Sequence, residues 1–166
     1  MSAFRGAPAA LLIVALAGCQ AAPGPLDFGG DSASTVCLGR SADVPMLVGD
    51  FFTVPASAGS ATITGVRLAD PQGIELMRSW LQPAIAGALG ASEYPPDDSA
   101  GWAQRETAVG AVIQAGTQMN VVALVAREGS AEATASAIVL DYRIGGVSYS
   151  KQGTMAIEIR DNCVDG

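Results

Sequence analysis

Three features of the sequence predict an all-β chain folded as an antiparallel sandwich of about seven or eight strands. Apolar residues recur mostly with period two, turn-forming residues interrupt the chain at short intervals, and Gly145-Gly146 joins two strand-like runs. The chain has 166 residues, 49% apolar and 5% aromatic, a length that suits one domain with a core of its own.

The first 18 residues stand apart from that domain. Arg5 is followed by an uncharged run from 6 to 17 that contains Leu11, Leu12, Ile13, Val14 and Leu16. About 12 such residues make a helix shorter than 20 Å, too short for a hydrocarbon core of roughly 30 Å. Residues 1–18 therefore read as a secretion signal. Their removal takes the net charge from −7 to −8 and leaves no later run long enough to span a membrane. Residues 19–34 follow as a tether rich in Ala, Gly, Pro and Ser, with Leu26 and Phe28 the large apolar exceptions. Composition of that kind predicts a flexible spacer with a reach on the order of 20–25 Å.

The β domain is expected over 35–166. Residues 61–68 mix β-branched side chains with alternation, and 118–126 carry Val121, Val122, Leu124 and Val125. Residues 136–144 and 147–151 flank the Gly-Gly pair, whose two members both accept positive φ and so favour a tight hairpin. In 154–160, Met155, Ile157 and Ile159 alternate with polar or small residues, giving one apolar and one wet face. A strand is expected to run to Leu81, where Pro83 stops any helix, followed by a long irregular loop through Gly101.

Leu16-Ala17-Gly18-Cys19 closes the apolar run and resembles the lipobox of bacterial lipoproteins. The resemblance implies cleavage after Gly18 and a diacylglycerol on the Cys19 sulfur. Further likeness lies in the early and late cysteines, in Trp102-Ala103-Gln104-Arg105 after Pro95-Pro96, in the run from Gly110 to Gly116, and in the run from Asp141 to Tyr149. With these elements the chain resembles small lipoproteins of high-GC Gram-positive bacteria that carry an immunoglobulin-like sandwich. Eight Arg against one Lys agree with such a source. What the resemblance implies is a protein on the extracytoplasmic face of the cell membrane, held by its lipid, with no particular chemistry attached.

Once Cys19 carries lipid, Cys37 and Cys163 remain as an even pair in an oxidising compartment, which predicts a disulfide between them. Closing a loop of about 125 residues is worth about 5 kcal/mol on the chain-entropy model. Absence of histidine removes the Ser-His-Asp and Cys-His arrangements and the common imidazole metal sites. The negative charge and the lack of a basic patch argue against nucleic acid as a partner.

No catalytic residue, metal site or cofactor is assigned from this sequence. Four methionines of the mature chain, Met46, Met77, Met119 and Met155, are scattered singly and read as core filling. Trp80 reads as core. Trp102, after a Pro- and Asp-rich loop, is the residue expected at a loop-end binding surface. The function expected is non-catalytic binding or scaffolding of another envelope component, protein or ligand. Two alternatives are an accessory or sensor subunit of an envelope transporter or signalling system, and a small hydrolase built on Glu93, Asp97 and Asp98, since paired carboxylates beside an aromatic suit glycoside chemistry.

Overall fold

The structure is a computed structural model that describes residues 22–29, 33–39, 44–85, 89–96, 100–129 and 132–163. In chain order its elements are β1 (Ala22–Pro23), β2 (Asp27–Phe28), β3 (Ser34–Gly39), β4 (Met46–Thr53), β5 (Ala61–Ala69), β6 (Ile74–Pro83) and β7 (Gly90–Glu93). A short helix α1 (Ala100–Ala103) follows, then β8 (Glu106–Thr107), β9 (Val112–Ile113), β10 (Gln118–Arg127), β11 (Ala133–Ala135), β12 (Ala137–Ile144), β13 (Val147–Gln152) and β14 (Met155–Arg160). Eight of these described strands, β3, β4, β5, β6, β10, β12, β13 and β14, are six residues or longer.

One sheet has the order β1-β13-β12-β5-β9 and the other β2-β4-β10-β6-β8, with β7 also paired to β4. A third, small sheet has the order β11-β14-β3. The long neighbours are antiparallel, as the hairpin and turn signals predict; β1 against β13 and β3 against β14 are parallel. Alternation does the sorting. Val48 and Phe52 of β4 and Val121, Ala123 and Val125 of β10 share one interior with Ile63 of β5 and Ile138, Leu140 and Tyr142 of β12. Interdigitation of two such inner faces is what holds a sandwich together. At the β12–β13 turn Gly145 and Gly146 take φ of 57° and 85°, the left-handed conformation that this hairpin requires.

Cys37 in β3 is bonded to Cys163, just beyond β14, with Cα atoms 5.8 Å apart. The bond staples two strands that already pair in register, Glu158 opposite Cys37. Close by, Arg127 Nη2 at the end of β10 donates to Asp161 Oδ1 at 2.9 Å, tying the same tail to the larger sheet.

Two expectations need correction. The segment 22–29 is not a free spacer: Leu26 is 1% exposed, Phe28 is buried against Phe52 with ring centroids 5.7 Å apart, and β1 and β2 pair with β13 and β4. The Leu26 N–H donates to the buried Tyr142 hydroxyl at 3.1 Å. Gly24 allows this approach, because a β-carbon there would lie 1.9 Å from the Tyr142 oxygen. Two large apolar side chains suffice to dock a segment whose average composition is that of a linker, so the domain begins before residue 35. The expected irregular loop after Leu81 is also more ordered than composition suggests. It contains β7, which extends β4, and α1, which packs over β6.

Candidate functional site

Side chains on the outer face of the larger sheet form a second apolar cluster, separate from the interior. Leu47 of β4, Val122 and Leu124 of β10 and Trp102 of α1 are buried there, with Trp80 and Leu89 against them. Period two explains the split: Leu81 points into the sandwich, so Trp80 beside it points out. The stretches 89–96 and 100–105 cover this face. Asn120 helps to hold it, its Oδ1 accepting the Leu89 N–H at 3.2 Å, next to Gln82, its buried cross-strand neighbour.

Three aromatic rings meet on this face. Trp80 and Tyr94 are stacked at 6.3 Å and 13° between planes, and Trp102 meets both edge-on, at 5.2 and 6.4 Å. Such pairs add about 0.5–1.5 kcal/mol each beyond area burial. The Arg105 guanidinium lies 4.2 Å from the Trp102 ring centre, and its Nη1 donates to the Trp102 carbonyl at 2.8 Å. Cation and ring thereby fix one another. Tyr94 is 38% exposed, and beside it Ser92, Glu93, Pro95 and Pro96 line a shallow depression of about 190 Å³. An aromatic edge and a carboxylate beside a small hollow can stack on a flat ligand and hydrogen-bond its rim.

Trp102, the residue expected to present a binding surface, is 9% exposed and forms the floor of the cluster. Tyr94 and half-buried Trp80 are the rings nearer solvent. Trp80, expected in the core, lies on the outer face instead. Glu93 is exposed in β7; Asp97 and Asp98 lie outside the described residues, as do Cys19 and the whole of 1–18. Among the methionines, Met119 is in the main core and Met46 and Met155 pack on it, whereas Met77 is exposed. Among the described residues no three His, Cys, Asp or Glu side chains are grouped so as to hold a metal ion, and no described helix is long and apolar enough to cross a membrane.

Asp50 is a titratable group that the sequence reading missed. Its place in β4 follows Met46 and Val48 on the inward register, and it is 6% exposed. Its Oδ1 accepts the Phe51 N–H at 2.8 Å, and the Thr154 and Met155 amides also favour its charged form. Burial outweighs these bonds and raises its pKa above the ordinary 3.8. The carboxylate faces the β13–β14 connection and organises it.

The raised pKa has a definite sign in stability. Between 3.8 and the native value the folded chain binds more protons than the unfolded one, so this group's contribution falls as pH rises through that window. Relative to Asp50→Asn, the wild type is expected to gain melting temperature on acidification from neutral pH towards 4. Parallel melting curves for the two proteins across that range would contradict the assignment.

No family model matches the sequence, and no curated protein matches it.

Proposed function

We propose that the chain is a lipid-anchored lipoprotein on the extracytoplasmic face of the cell membrane, serving as a non-catalytic binding module for another envelope component. The observation that carries the binding role is the exposed Tyr94, stacked on Trp80, with its chain neighbours Ser92, Glu93, Pro95 and Pro96 lining a hollow. Anchoring rests on Leu16-Ala17-Gly18-Cys19 at the end of the apolar run. The sandwich, on the same reading, is of the immunoglobulin-like kind. A ring platform this shallow suits stacking on a sugar ring of an envelope glycan, with the exposed Glu93 carboxylate accepting from its hydroxyls.

Binding of the soluble Cys19→Ser form to isolated cell envelopes tests the role. Tyr94→Ala is expected to weaken retention at least several-fold, and to lower the melting temperature less than truncation of the buried Trp102 does, because the Tyr94 ring is partly exposed. Unchanged retention would remove the platform from the binding role. Turnover of a glycan or peptide that Asp97→Asn abolishes would replace binding with hydrolysis.

A further inference from the structure

The sandwich has two chemically different ends. At one, the connection 54–60 between β4 and β5 meets the connection 114–117 before β10: Val54 N–H donates to Thr117 O at 3.0 Å, Gly116 N–H to Val54 O at 2.7 Å, and Ser60 Oγ to Gln114 Oε1 at 3.1 Å. The Gly145-Gly146 turn and β9 lie at the same end, since Ala61 at the start of β5 pairs with both Ile144 and Ile113. The stretches 51–66, 107–126 and 144–150 that build this end contain no Asp, Glu, Lys or Arg, and the charged side chains that flank them are of opposite sign: Asp27, opposite Thr53, and Arg143, whose Nη2 donates to the Gly146 carbonyl at 3.2 Å. At or near its surface Ile85, Val109, Val112 and Val147 are each more than half exposed. At the other end, the connections after β5, after β10 and after β14 hold Asp70, Glu128, Glu132 and Asp161.

The docked N-terminal segment fixes which end the anchor can reach. Ala22 pairs with Tyr149 and Pro23 with Ser150, parallel to β13, so β1 starts near the Val147 side of the sheet, at the charge-poor end. Cys19 is three residues from Ala22, about 10 Å of fully extended backbone. The ten residues of β10 span about 33 Å from one end of the sandwich to the other. A lipid on Cys19 is therefore within reach of the plane of the charge-poor end and falls well short of the acidic one.

We infer that the domain sits directly on the bilayer with this charge-poor end, formed by 54–60, 107–117 and 145–148, against the lipid headgroups. The inference rests on the anchoring proposed above and deepens it. Charge points the same way: a mature chain of net charge −8 is repelled by anionic headgroups at short range, and at this end the acid Asp27 is offset by the base Arg143, so little of that charge faces the headgroups. The exposed valines and Ile85 gain by leaving water at the headgroup boundary. The acidic end and the Tyr94 platform on the side of the sandwich are thereby left to the envelope.

Amide hydrogen exchange on the full acylated protein in vesicles of phosphatidylglycerol and phosphatidylcholine, compared with soluble Cys19→Ser, tests the orientation. Exchange is expected to slow several-fold in 54–60, 107–117 and 145–149, with no change in 70–73 and 128–132. A Val112→Asp, Val147→Asp double variant, altered only at exposed sites, is expected to lose that protection while its intact mass still shows acylated Cys19. Acylated protein with no protection at this end, or with protection at the acidic end, overturns the orientation and leaves the anchor standing. A chain found without lipid overturns the anchor and the orientation with it. Protection seen in native membranes but not in these vesicles assigns the end to a protein partner and overturns contact with lipid.

Discussion

Replacing Cys37 and Cys163 together by serine is expected to lower the stability of the domain by about 2–5 kcal/mol. The bond closes a sequence separation of 126 residues, so in the unfolded chain it removes one of the largest loops that this sequence can form. In the folded state little is strained for its sake, because β3 and β14 are already paired along six residues. A loss of that size is a large fraction of a typical domain's margin of 5–15 kcal/mol. Urea unfolding of the oxidised protein and of the double-serine form, with the slope compared as well as the midpoint, measures it. Equal midpoints would mean that the bridge is not what closes the domain.

Trp102→Ala carries the second large effect, a destabilisation of about 3–5 kcal/mol, the range for truncating a buried aromatic. Trp102 touches Trp80 and Tyr94 and lies under the Arg105 guanidinium, so its removal leaves a cavity and frees a cation from its ring. The stretches 89–96 and 100–105 lose their main apolar hold on the outer sheet face. Envelope binding is expected to fall too, as a consequence of the disordered platform. Tyr94→Ala separates the two effects, since it removes the exposed ring while Trp102 stays packed on Trp80 and under Arg105, so binding falls at a smaller cost in stability. A Trp102→Ala protein that melts like the wild type would return Trp102 to the surface role that its loop context suggests.

The long strands were legible because each writes its burial as alternation. Residues 118–126, 136–144, 147–151 and 154–160 as read from the sequence differ by one residue or less at each end from β10, β12, β13 and β14. The disulfide was legible from counting cysteines. What composition concealed was docking by few residues: Leu26 and Phe28 are two of the sixteen residues of 19–34, the rest small or polar, yet both are buried. The outer-face cluster was hidden for a related reason. Period two puts Trp80 opposite in sense to Leu81, but only β7 and α1, which cover that face from elsewhere in the chain, give an outward Trp something to pack on. Asp50 had a visible signal, one acid on the inward register of an apolar strand, and a reading of sides rather than of runs finds it.

The central claim is a lipid on Cys19, and intact mass of the protein extracted from membranes with detergent addresses it most directly. A diacylglycerol and its partner acyl chain supply stable attachment that one chain alone does not. The mature chain is expected to begin at Cys19, to carry diacylglycerol on that residue, and to weigh two hydrogens less than its reduced form because Cys37 and Cys163 are joined; Cys19→Ser is expected in the soluble fraction. A mature chain that begins elsewhere, or a Cys19 found as a free thiol in membrane-bound protein, would contradict the account.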